Sequence, residues 1–184
     1  MTRSLCIYHP PGVHELPANP FGKDVANLEL FRALARHGGF DELSILSVRR
    51  ADEGELARTL LGEAAAAAPQ LTSVSVMNGA SAARSGALLR AGPDLYDLAW
   101  QRRRAQADRA YSLVGLIHTI APSTMRQIIA MAQVAPTHPW DAIVCTSPSV
   151  RDAVAAMFDG WGDHLAERTG GAAPQRPALP VVPL

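Results

Sequence analysis

Asp141-Ala142-Ile143-Val144-Cys145-Thr146-Ser147-Pro148-Ser149-Val150 carries the chain from a β-strand directly into a helix. The first half is a short apolar run of the kind found in strands covered on both faces. Ser147 then offers a hydroxyl acceptor to free helical amides, and Pro148 presets φ for the first turn of a helix running through Phe158. The same alternation recurs toward the amino terminus. Strand candidates are Leu5–Tyr8, Leu43–Val48, Leu71–Met77, Asp94–Leu98, Ser112–His118 and Asp141–Thr146. Helical patterns fill the gaps at Asp24–His37, Glu55–Ala68, Ala80–Arg90 and Trp100–Ala110, and from Ser123 or Thr124 to Val134. The first ends at Gly38-Gly39, and Gln127 stands three after Thr124 as in a capping box. Strand and helix in repeated alternation predict an α/β, Rossmann-like doubly wound fold, with a mainly parallel sheet and helices on both faces.

Composition limits the partners. With 184 residues, 48% of them hydrophobic, the chain can bury one substantial core, and a single domain over 1–184 is expected. Formal net charge is zero, so no global field recruits nucleic acid. Arg102-Arg103-Arg104 is the one local basic run; on a helix it reads as a solvated face, with an anionic membrane surface as the other reading. Cys6 and Cys145 lie far apart in apolar strands, as reduced core thiols do, and form no metal motif. The amino terminus has no apolar signal region and no stretch reaches membrane-span length, so a cytoplasmic location is expected.

Candidate functional residues follow from the fold class, because open α/β sheets bind ligands outside the carboxyl ends of their strands. The first such loop runs from Tyr8-His9-Pro10-Pro11-Gly12 through Asn19-Pro20-Phe21-Gly22-Lys23-Asp24. Gly22 permits close backbone approach at a helix start, where amides attract anions. Lys23 is the single lysine beside sixteen arginines; it reads either as a point charge for an anion or as a solvated residue at a helix start. His118 ends a strand and can donate or accept without permanent charge, or it simply caps that strand. Ser147 reads as a cap whose helix start faces the same crevice. Arg151, one turn further, is a candidate for a phosphate or carboxylate, or a surface arginine. His9 and His14 line the first loop or are solvated there. Asp24, Glu15 and Glu29 form no paired-carboxylate geometry, and Asp24 compensates the amino end of its helix. Gly-x-Gly-x-x-Gly is missing after the first strand, and so is a phosphate-loop lysine–serine pair; both absences argue against dinucleotide dehydrogenases and nucleotide hydrolases.

Four segments in order carry a resemblance across the chain. They are Phe21-Gly22-Lys23-Asp24-Val25 with Leu34-Ala35-Arg36-His37-Gly38; Gly115-Leu116-Ile117-His118; Trp140 through Ser147 followed by Arg151; and Leu179-Pro180-Val181-Val182-Pro183-Leu184. Together they resemble the amino-terminal half of a family-4, GT-B-fold retaining glycosyltransferase. The resemblance implies transfer of a sugar from a nucleotide-sugar donor to the hydroxyl of a sugar, lipid or other small acceptor, with retention and with no metal or other cofactor. It implies that Gly22 lies near the donor diphosphate and that His118 reaches the donor sugar as the catalytic contact; Lys23, Ser147, Arg151 and His9 are the further candidates for donor or acceptor binding. Phe21 stands where the family often has a second glycine, and Thr119 where it often has aspartate. The family's carboxyl-terminal domain binds the nucleotide, so residues 168–184 are expected to be a loop and strand leading to a second domain, and this chain alone is expected to be inactive. A stand-alone Rossmann-like ligand-binding or regulatory module without catalysis is the alternative, and pairing of two chains as a homodimer is open under either.

Overall fold

The computed structural model describes residues 2–10, 16, 18–62 and 68–183. Its architecture is α/β, with six parallel strands in the order β3-β2-β1-β4-β5-β6 flanked by helices, as the alternation predicts for a Rossmann-like doubly wound fold. The strands are β1 Ser4–Tyr8, β2 Glu42–Ser47, β3 Gln70–Ser75, β4 Ala87–Arg90, β5 Ser112–Ile117 and β6 Ala142–Cys145. The helices are α1 Gly22–His37, α2 Glu53–Leu60, α3 Ala80–Ser85, α4 Tyr96–Arg104, α5 Met125–Val134 and α6 Pro148–Thr169. The chain divides into two compact units, Met1–Leu89 and Arg90–Leu184.

In the first unit, β1 pairs with β2 and β2 with β3, all parallel and in unbroken register from Ser4↔Glu42 and Glu42↔Gln70. Cys6, Ile7, Leu43 and Ile45 are fully buried in this sheet, and α1 buries Leu28, Phe31 and Ala35. α1 also holds the carboxyl end of α2: Arg32 Nε donates to Thr59 O at 3.0 Å and Arg36 Nε to Leu60 O at 2.9 Å. Those carbonyls have no partner inside their own helix, so the two guanidinium groups satisfy them and oppose the negative end of its dipole. At β3, Ser73 N donates to Glu53 Oε1 at 3.1 Å.

In the second unit, β5 and β6 pair from Val114↔Ala142 to Ile117↔Cys145. Beyond β6, the amides of Ile143 and Cys145 donate to Ala178 O and Pro180 O at 2.8 and 2.9 Å, while Ala178 N and Val182 N return bonds to Asp141 O and Cys145 O. The apolar run Leu179–Pro183 therefore lies along β6. It remains a pair of isolated bridges because Pro180 has no amide to give to Ile143 O. That carbonyl instead accepts from Cys145 Sγ at 3.6 Å.

Several elements differ from the sequence reading. Asp94–Leu98 is not a strand; the fourth strand is Ala87–Arg90, and Tyr96 onward is helical. The break comes at Gly86, whose φ of 71° ends α3 in a left-handed cap and frees the apolar Ala87-Leu88-Leu89 to pair. α2 starts earlier, at Glu53, capped by Asp52 whose carboxylate accepts from Glu55 N, and stops at Leu60 before Gly62 with φ 63°. α6 runs on to Thr169, where Gly170 at φ 69° stops it. Thr124 makes no side-chain cap bond, so the capping box with Gln127 does not form.

The arginine run is also corrected. Arg103 and Arg104 face solvent, but Arg102 is fully buried, as is Asp141. Arg102 Nη1 and Nη2 each lie 2.7 Å from one oxygen of Asp141. Arg102 Nη1 also donates to Tyr111 O at 2.9 Å, and Asp141 accepts from Leu113 N at 2.7 Å and His138 N at 2.8 Å. Burying such a pair is favourable only when the remaining donors and acceptors are met, which this network does for all but Arg102 Nε.

Two stability measurements test these contacts. Arg102→Met leaves Asp141 charged and buried, and is expected to cost about 3–5 kcal/mol in urea unfolding; a loss below about 1 kcal/mol would show that the pair contributes little. Burial pushes the Cys6 thiol up from 9.0 to about 12, opposed in lesser part by Arg84. Because the folded state holds that proton more tightly, the resulting stability is complete below pH 9 and is lost as pH rises toward about 12. Cys6→Val should flatten this alkaline decline, and an unchanged slope would remove Cys6 as its source.

Candidate functional site

The carboxyl ends of β5 and β6 form the better-defined site. Ile117 and Cys145 are register partners, so His118 and Thr146 leave neighbouring strands side by side, about 4.8 Å apart. His118 is half-buried just past β5. Past β6, Ser147 adopts an extended backbone and its hydroxyl accepts from Val150 N at 3.2 Å, with Pro148 as first helical residue. Ser147 Oγ also lies 2.9 Å from Ser149 Oγ. The hydroxyl is thereby engaged as the helix cap that the sequence predicts. α6 opens at this point with no acidic residue in its first turn, so its amino end presents an uncompensated positive dipole.

Arg151 joins this group. Its amide donates to Ser147 O at 3.0 Å, and its guanidinium donates through Nε and Nη2 to Asp152 Oδ1 at 2.9 and 2.8 Å. Both side chains are exposed, so this contact is a weak ion pair that an incoming anion can displace. Arg151 is felt at the strand end: burial raises the Cys145 thiol, and the Arg151 charge pulls it back. His118, Ser147 and Arg151 are thus brought to one end of one strand pair.

Gly115 fixes the strand that delivers His118. A Cβ there would lie 2.9 Å from Gly92 O and 3.3 Å from Leu95, so only glycine allows this approach. Gly92 O is the acceptor of Leu116 N at 3.2 Å.

The other candidates lie in the first unit. His9 N donates to Leu46 O at 2.8 Å, and the His9 ring packs edge-on against Phe31 at 5.6 Å, so this histidine joins β1 to α1. Gly22 and Lys23 are exposed at the start of α1. Space is open around Gly22, since a Cβ there meets nothing within 4 Å. Asp24 already serves the helix start: its carboxylate accepts from Phe21 N at 3.0 Å. That negative charge occupies the ground where the sequence reading places an anion. Pro11–Glu15, including Gly12 and His14, lie outside the described residues.

No protein-family model matches the sequence, and neither does any curated protein. No group of three or more His, Cys, Asp or Glu among the described residues is placed to hold a metal ion. No helix among them is long and apolar enough to cross a membrane.

A second feature of this unit escaped the sequence reading. A groove of about 420 Å³ opens where α5 meets α6, lined by Arg126, Ala156, Met157, Gly160, Trp161 and His164. Its sequence signal was Gly160, a glycine in mid-helix, which the reading passed over by ending α6 at Phe158.

The role of Ser147 is separable by substitution. Ser147→Ala should cost about 1 kcal/mol in chemical unfolding, whereas Ser147→Asp, which retains a cap acceptor, should cost a few tenths at most. Equal losses in both variants would mean that capping is not what this hydroxyl supplies.

Proposed function

We propose that the chain is the acceptor-side half of a retaining, nucleotide-sugar-dependent glycosyltransferase of GT-B type. The observation that carries this reading is the β5–β6 register, which delivers His118 and the Ser147-capped start of α6 side by side from parallel strands. Such a strand end suits an acceptor bearing hydroxyls and an anionic group. His118 would exchange hydrogen bonds with sugar hydroxyls without adding fixed charge. The amide of Ser149 at this helix start, together with the Arg151 guanidinium, would hold a phosphate or carboxylate. The nucleotide would be bound by a second domain, and closure of the two would exclude water from the transfer. Under this reading the intact enzyme needs no metal, works in the cytoplasm, and uses Gly22 and Lys23 beside the donor.

One observation favours the non-catalytic alternative, a Rossmann-like binding module. Asp24 places a carboxylate at the start of α1, where the glycosyltransferase reading needs room for a diphosphate.

Titration of isotopically labelled protein with monosaccharide phosphates and with the matching unphosphorylated sugars separates these readings from neither. On the acceptor-side reading, the phosphates shift the amides of Thr119 and Ser149–Arg151, and His118→Ala weakens the sugar-dependent part of binding about tenfold. Shifts confined to other positions would refute the assigned site. Sustained sugar transfer by this chain alone, supplied with nucleotide sugars and acceptor, would refute the half-enzyme reading.

A further inference from the structure

Two residues of the α5–α6 groove are chosen against the interests of the helices that carry them. Gly160 lies inside α6, where glycine is the least favourable residue other than proline. Neither backbone nor packing requires it: its φ is not positive, and a Cβ added there meets nothing within 4 Å. Gly162 in the same helix shows the contrast, since its Cβ would already touch Ala173 and Gln133 at 3.4 Å. Arg126 is the second. It occupies the first turn of α5, where the dipole disfavours a cation and no acidic residue compensates. It is exposed, and it forms no ion pair or hydrogen bond among the described residues.

Both residues point to the same space. Gly160 leaves the groove wall open beside Met157 and Trp161, while Arg126 supplies a permanent positive charge and no carboxylate lines the groove. Trp161 is 37% exposed despite its size, and meets His164 edge to face at 5.9 Å. A volume of about 420 Å³ falls in the range of small-molecule sites, which are mostly apolar with a few polar groups that orient the ligand.

We propose that this groove binds a small aromatic carboxylate. The ring lies against Trp161 and Met157 across Gly160, and the carboxylate pairs with Arg126. The anion also meets the amino end of α5, so it relieves the unfavourable placement of Arg126 and the uncompensated dipole together. Aromatic stacking and sulfur contact favour a flat ring over a branched aliphatic body in this space. This site is independent of the acceptor reading for the ends of β5 and β6.

2-Naphthoate and its uncharged counterpart 2-naphthalenemethanol are the probes, titrated into the labelled chain and followed through amide shifts and the Trp161 indole. Saturable binding of 2-naphthoate with shifts centred on α5 and α6 is expected, with 2-naphthalenemethanol about tenfold weaker. Arg126→Gln should weaken 2-naphthoate by a similar factor while leaving 2-naphthalenemethanol unchanged. Gly160→Leu should fill the groove and abolish binding of both. Because it replaces a helix-interior glycine at an open position, it should also raise the melting temperature, by about 2–4 °C. The proposal is overturned by equal affinity for the two probes, by no saturable binding, or by full binding in Gly160→Leu. A lowered melting temperature in that variant would overturn it as well, by showing that Gly160 is required for packing.

Discussion

Arg102 and Asp141 face each other in the interior of the second unit with both side chains fully buried. Two charges removed from water are tolerable only when their geometry is close and their remaining valences are filled. The guanidinium fork meets both carboxylate oxygens, and its further hydrogens reach the carbonyls of Tyr111 and Pro136. The carboxylate in turn holds the amides of Leu113 and His138. One ion pair thereby fixes the end of α4, the entry to β5 and the turn before β6. Those are the elements whose opposite ends present His118 and Ser147, so the register of the candidate site is set from the far end of the strands.

That arrangement divides labour along β5 and β6. Their amino ends carry the buried charge network, and rigidity there is what charge burial demands. Their carboxyl ends carry a half-buried histidine, a capped helix start and an exposed arginine. Gly115 lies between the two ends and lets Gly92 O approach the strand. In the first unit, Asp24 compensates the start of α1. His9 is taken up in packing against Phe31.

Most of the fold was legible because its signals are local. Apolar runs at Leu43–Val48 and Ser112–His118, the Ser147-Pro148 start and the Gly38 stop each act within a turn or two of chain. The failures have a common cause. Ala87-Leu88-Leu89 was absorbed into a helix because nothing local separates a leucine-rich strand from a buried helical turn. Only the positive φ at Gly86 breaks it there. Arg102 looked like its exposed neighbours Arg103 and Arg104, since a run of like residues hides which one turns inward. Its partner lies 39 positions away, beyond any periodic pattern.

By itself the sequence determined the α/β class and the strand-to-helix switch at Ser147, because periodicity, cap chemistry and proline placement are properties of neighbouring residues. Tertiary structure alone decided that Arg102 is buried against Asp141 and that Arg126 and Gly160 share a groove. Each of those outcomes depends on which distant group fills the space beside a side chain. Burial and pairing across the fold set that, and no local pattern encodes it.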